Sequence, residues 1–304
     1  PVKAELVWQD APSLVTDIKY NSGTNGGTIS FKVDKENIRQ GNALIAIKDS
    51  QNTILWSWHI WITDENIYHT IKVTNHQNVS HDLMPIHLGW CEGEVINYAA
   101  RSCQVQFIAH GQTRLITVNQ MRSTTSTQGN CTFYEWGRKD PLRPSSGYAY
   151  KNKTWYNAAG IASTANHAVE SFPFGNECIK NYIRKPDVMQ KEIGGDNTYF
   201  NLWNADNNTN SNVYNDNPVT KTVYDPCPVG FAMPPSNTFT GFTTTGENVT
   251  NTVAKYNGEW NSSLPGWNFY CGPNKTGGTI FFPMTGERIS SGGHLSAVGS
   301  LGHT

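Results

Sequence analysis

Nine histidines, six cysteines and 24 carboxylates supply the groups that acid–base, nucleophilic or metal chemistry needs, so their spacing decides which chemistry is open. His59, His69, His76, His81, His87, His110, His167, His294 and His303 include no HExxH arrangement, which would set two imidazoles on one helical face around zinc. His81-Asp82 and His87 precede Cys91 and place a base near a thiol, but no local cysteine-protease signature surrounds that cysteine. There is no GxSxG, P-loop or GxGxxG, and Gly277-Gly278 and Gly292-Gly293 read as turns. Glycoside hydrolysis asks only for two carboxylates about 5 to 10 Å apart. Glu92 with Glu94, or Glu135 beside Trp136, are available, but the run Glu135, Arg138, Lys139, Asp140 reads first as a salt-bridged turn.

The richest polar stretch spans residues 194–217. Asp196, Asn201, Asn204 and Asp206 offer carboxylate and amide oxygens that suit Ca²⁺ or sugar hydroxyls, and Tyr199, Trp203 and Tyr214 offer rings that stack on a sugar face. The spacing is not an EF-hand, so calcium is the sole cofactor suggested and no metal ligand is assigned. A solvated loop is the plainer reading. On the binding reading, Trp203 is a loop-tip ring that contacts a glycan and adds little to the core.

The six cysteines, Cys91, Cys103, Cys131, Cys178, Cys227 and Cys271, contain no CxxC pair. Six thiols allow 15 pairings. Proximity nominates Cys91 with Cys103 and Cys227 with Cys271, against the alternative of buried free thiols.

These residues need elements to position them. The chain has 304 residues, long enough for two or three compact domains, with 15% charged residues and a net charge of −1. That balance gives no electrostatic footprint for nucleic acid or for an anionic membrane surface, so neither partner is favoured. No apolar run approaches the ~20 residues that span a bilayer, and no leader precedes Pro1, so the chain reads as soluble or as a mature fragment. Aromatics are 12%, with abundant Asn, Thr, Ser and Gly, a β-rich and turn-rich mixture. Asn42–Ile47 and Ile54–Ile62 predict a hairpin about the 48–52 turn, its second strand carrying Trp56, Trp58, Ile60 and Ile62 on one face and Leu55, Ser57, His59 and Trp61 on the other. Aromatics on both faces predict a strand buried on both sides, with the Trp cluster as core. A second hairpin is predicted with Gln104–Ile108 and Leu115–Val118 around a turn at His110-Gly-Gln112, and a short helix within Gly175–Arg184 before Pro186. From residue 223 the chain is turn-rich, with Trp260, Trp267, Phe269, Phe281 and Phe282 as expected core.

Three phrases carry a resemblance: Trp56-Ser-Trp-His-Ile-Trp61, Tyr134-Glu-Trp-Gly-Arg-Lys-Asp-Pro141 and Val223-Tyr-Asp-Pro-Cys-Pro-Val-Gly-Phe-Ala-Met-Pro-Pro235. In this order they resemble large surface proteins of the Bacteroidales fimbrillin families, and the last resembles the opening of the Fibrobacter major paralogous domain. The resemblance implies a mainly β chain: a β-sandwich-like region over 1–130, with a sub-boundary near 65, then a loop-rich α+β, C-type-lectin-like module over 131–304, truncated at its C-terminus. In that family Cys227 would pair with a terminal cysteine beyond residue 304. The resemblance also implies a non-enzymatic, fimbrium- or pilus-associated adhesin or structural subunit, extracellular at the outer membrane. Its partners would be other pilus or surface subunits, joined by strand addition, and a host-protein or glycan ligand. The seven N-x-S/T sequons are then a by-product of Asn/Thr richness. The rival expectation is a secreted carbohydrate-binding module or carbohydrate-active enzyme.

Overall fold

The computed structural model describes residues 1–24, 26–93, 95–126, 128–147, 150–173, 175–191, 201–206, 214–248 and 252–302. The chain is mainly β, at 41% strand and 8% helix with one α-helix, as its turn-punctuated apolar runs predict. Strand β1 (Lys3–Gln9) runs into a buried corner at Ala11, Leu14 and Val15, and then into the hairpin of β2 (Thr16–Gly23) and β3 (Gly26–Lys32). The next two strands, β4 (Gly41–Lys48) and β5 (Ile54–Ile62), form the predicted hairpin. Its turn is closed by Asp49, whose Oδ1 accepts from the N–H groups of Gln51 at 2.9 Å and Thr53 at 2.8 Å.

β4 pairs antiparallel with β1 on one side and β5 on the other, and its residues Gly41 to Ala46 are buried. Leu6, Ala43 and Ile45 pack there with Leu14 and Val15, and Ile18 and Ile29 of the β2–β3 hairpin close over them. The expectation that β5 is buried on both sides is corrected. It is an edge strand in which only Ser57 is buried and Trp58 is 39% exposed. Its rings hold polar partners at the rim, as amphipathic indoles do: Lys139 Nζ stands 4.5 Å over the Trp56 ring, and Trp61 Nε1 donates to the Trp90 carbonyl at 2.9 Å.

β6 (Ile71–Thr74) and β7 (Ser80–Leu83) form a short hairpin. A long ribbon follows: β8 (Val95–Tyr98) and β9 (Arg101–Ala109) run out, and β10 (Gln112–Gln120) and β11 (Ser123–Ser126) run back in unbroken register, Tyr98 opposite Ser123 and Arg101 opposite Gln120. The turn lies within the predicted His110–Gln112 and falls on His110-Gly111, both at positive φ (48° and 75°), the I′ pattern that matches strand twist. β12 (Trp155–Tyr156) adds to the outer edge of β1, Gln9 opposite Tyr156, and β13 (Ala162–Ser163) adds to β12.

β14 (Val169–Glu170) is joined to the parallel β15 (Met189–Gln190) through helix α1 (Asn176–Arg184), the predicted helix. Cys178 and Tyr182 are its buried side chains and pack with Phe172 in a small core. The last sheet is β16 (Gly258–Asn261), β17 (Gly266–Gly272) and β18 (Thr276–Pro283) in antiparallel order, followed by the pair β19 (Glu287–Arg288) and β20 (Leu295–Ser296). Phe269, Cys271, Ile280 and Phe282 pack there on Phe242 and on Val73 of β6, with Phe242 stacked 4.7 Å from Phe269. Of the expected aromatic core, Phe269 and Phe282 are buried, whereas Trp260 is 47% exposed. Strand pairing and core contacts thus cross residue 130 in both directions. No helix among the described residues is long and apolar enough to cross a membrane.

Candidate functional site

Of the groups nominated for acid–base chemistry, Cys91 is buried and Glu92 is exposed, while Glu94 lies outside the described residues. Asn42 Nδ2 donates to Asp10 Oδ2 at 3.1 Å and to the Gly89 carbonyl at 3.0 Å, and its Oδ1 accepts from His59 Nε2 at 2.9 Å. With Nε2 carrying the hydrogen, His59 Nδ1 accepts from the Tyr134 hydroxyl at 2.9 Å. Burial holds this imidazole neutral, its pKa depressed to about 3, and raises Tyr134 well above its ordinary value. Burial, with Asp10 adding to it, also pushes the Cys91 thiol far up, and His81 lies not against it but 3.3 Å from Asp216. A thiol that stays protonated is a poor nucleophile.

Among the described residues lies an open, apolar cavity of about 520 Å³. Its lining brings together segments distant in sequence, among them the turn Met84–Leu88 after β7, residues Cys131–Trp136, the proline-rich loop at Pro226–Pro234, Phe281–Phe282 of β18, and Glu287 and Arg288 of β19. Asp225 holds the proline-rich loop in shape. Its Oδ1 accepts from the Cys227 N–H at 2.8 Å, its Oδ2 accepts from the Met233 N–H at 3.0 Å, and Lys221 Nζ pairs with it at 3.0 Å. Prolines fix φ and lack donors, so a side-chain carboxylate provides the contacts that a ladder would otherwise provide.

Most polar groups of the lining are already engaged. Glu135 accepts from the Gln190 N–H at 2.8 Å and from Arg138, and burial raises its pKa against the lowering effect of that guanidinium. Arg288 donates to the carbonyls of Arg143 and Gly293, each at 2.9 Å, and to Asn152 Oδ1 at 2.7 Å. Burial, with Arg143 beside it, lowers its pKa to about 9. His87 differs. Its ring meets Phe282 edge-on at 4.5 Å, its buried Nε2 has no hydrogen-bond partner, and burial depresses its pKa to about 4. A neutral imidazole nitrogen without a partner is a ready handle for a ligand hydroxyl.

Trp203 is not at a loop tip. It is 6% exposed, its Nε1 donates to the Arg138 carbonyl at 2.9 Å, and Trp136, itself 61% exposed, stands 5.0 Å away between ring centroids. Both rings line the cavity. Asn204 Oδ1 accepts from the N–H groups of Asp206 at 3.3 Å and Thr220 at 3.1 Å, closing a turn, while Asn201 is buried and Asp206 exposed. Asp196 and Tyr199 lie outside the described residues, as does most of the stretch proposed for Ca²⁺. Among the described residues no cluster of three His, Cys, Asp or Glu is gathered for a metal. Trp136 and His87 were not nominated as ligand contacts from sequence; an aromatic beside Glu135 was visible, but a lone histidine between Ile86 and Leu88 carries no signal.

All six cysteines are free thiols, so neither nominated pair is joined. Cys91 is buried beneath Asn42, whereas Cys103 is exposed on the ribbon; Cys227 lies against Met233 Sδ at 3.7 Å, whereas Cys271 sits in the aromatic core. No protein-family model matches the chain, and neither a curated protein nor a solved structure is detectably similar to it.

Proposed function

We propose that the chain is a non-enzymatic cell-surface adhesin or structural subunit of fimbrial type, extracellular and outer-membrane associated, that binds a host or glycan ligand in the cavity walled by Trp136 and Trp203. On this reading residues 1–130 form the β-sandwich-like region, 131–304 the lectin-like module, and other surface subunits are its partners. The observation that carries it is the aromatic pair: one ring is anchored and one exposed, beside an apolar recess holding an unpartnered nitrogen. Pockets of this size and lining take small ligands with apolar faces, and a few polar atoms orient them. A glycan-array screen of the full chain against its Trp136→Ala variant tests this. Binding that disappears with the ring supports the site, and a binder that keeps full affinity without Trp136 rejects it.

A secreted carbohydrate-active enzyme is the second reading. Its support is that Glu135 and Glu287 both line the cavity and that burial raises the pKa of Glu135, as a general acid requires. Polysaccharide turnover abolished by Glu135→Gln or Glu287→Gln would put this reading first.

A further inference from the structure

The 95–126 ribbon projects two strands with every side chain of β9 and β10 exposed. Side chains alternate between faces, and cross-strand partners share a face. One face therefore carries Cys103 opposite Val118, Val105 opposite Ile116 and Phe107 opposite Arg114, with Arg101 and Gln120 at its inner end. Phe107 is 53% exposed, and Ile116 and Val118 are each 51% exposed. The reverse face carries no charged residue; it holds Ser102 opposite Asn119 and Gln104 opposite Thr117, with Ile108 and Leu115 toward its outer end and Ile96 and Tyr98 toward its inner end. An isolated two-stranded hairpin is marginal in water, so this apolar face needs an occupant.

Charge indicates which occupant. The ribbon sequence contains Arg101, Arg114 and Arg122 and no Asp or Glu. Those three are taken from the chain's 23 basic residues, which leaves 20 basic against 24 acidic side chains elsewhere. The ribbon therefore combines charge of one sign with exposed apolar side chains. Two such ribbons packed face to face would bury about 500 Å² each, taking ~15 residues per strand at ~3.3 Å and a ribbon ~10 Å wide. That falls below the ~800 Å² per partner of an ordinary interface, and the two copies would bring their arginines together with no carboxylate to meet them. An anionic lipid surface fits both properties. Apolar side chains sink to the acyl boundary while guanidinium groups stay with the headgroups.

We propose that the ribbon docks flat on an anionic lipid bilayer, its Val105, Phe107, Ile116 and Val118 face toward the acyl chains and its arginines at the phosphates. It lies in the interface and does not cross it, because open strand edges inside hydrocarbon would leave backbone groups without partners, whereas at headgroup depth water satisfies them. The proposal is independent of the cavity and of its ligand.

The test is co-sedimentation of the full chain with vesicles of phosphatidylglycerol or of phosphatidylcholine, together with the emission of an environment-sensitive dye attached at Cys103. Expected are binding to the anionic vesicles, at least tenfold weaker binding to the zwitterionic ones, and a blue shift of the dye on binding. Each arginine near an anionic surface contributes about fivefold, so the triple variant Arg101→Gln, Arg114→Gln, Arg122→Gln should bind roughly 100-fold more weakly. Phe107→Glu should abolish binding; if that variant does not fold, the arginine variant carries the test. The proposal is overturned by equal binding to both lipids, by no binding to phosphatidylglycerol, by binding without a dye shift, or by lipid-independent self-association that Phe107→Glu removes, which would make a second copy the occupant.

Discussion

The Trp203 indole N–H is fixed on the Arg138 carbonyl at 2.9 Å while the Trp136 ring, 5.0 Å away, stays in solvent. Truncating the two rings should therefore have opposite consequences. Trp203→Ala empties a buried site and should cost about 3 to 5 kcal/mol in denaturant unfolding. Trp136→Ala should cost no more than ~1 kcal/mol, as expected for an exposed side chain, and should remove ligand binding. Equal stability losses for the two would show that Trp136 is structural.

Stability should fall on acidification through the histidines. His87 titrates at about 4 in the fold against an ordinary value of about 6.5 in the unfolded chain. Above pH 6.5 both states are neutral; as the pH drops toward 4 only the unfolded chain takes up the proton, so stability is progressively lost. The loss is about 3 kcal/mol from His87. His59, depressed to about 3, extends the decline further into acid. His87→Leu should flatten the pH 4–6.5 part of the profile, measured by urea unfolding at each pH; an unchanged slope would assign the decline to other groups.

Thiol accessibility gives a direct check on the cysteines. Cys103 is the one exposed thiol, while burial pushes Cys131 and Cys227 up to about 12. One equivalent of a thiol reagent should react quickly with the native protein, none after Cys103→Ser, and all six after unfolding without reductant. Fewer than six equivalents in the unfolded, unreduced chain would establish a disulfide.

Asp225→Ala should leave two backbone N–H groups and Lys221 without their carboxylate, at a cost of about 2 to 4 kcal/mol. Because this carboxylate shapes one wall of the cavity, the loss should appear first as proteolytic cleavage between residues 226 and 234. Protease resistance equal to the parent's would mean that the prolines alone hold the loop.

Local features were legible and assembled ones were not. The ribbon follows from alternation about His110-Gly111, and α1 follows from Tyr182 and the stop at Pro186, because each signal lies within one turn or one strand. β5 was misread because aromatic alternation reports contact on both faces, not depth, and a rim strand can meet that requirement with Lys139 and the Trp90 carbonyl. Trp203 was misread for a related reason: the flanking Asn204 and Asp206 indicate a turn, but the carbonyl that anchors the indole comes from Arg138, 65 residues earlier. The cavity draws on segments spread from Leu83 to Arg288, and no window of sequence contains its shape.

The packing of β6 against β17 and β18 has a consequence for how the molecule is made. Val73 belongs to a core whose other buried members begin at residue 242. At ~5 to 20 residues per second, roughly 10 to 40 s separate the emergence of β6 from that of β18. Through that interval the β6–β7 hairpin has no completed core to join, so the slow step of maturation should be the closure of this long-range contact and not the formation of the first sheet.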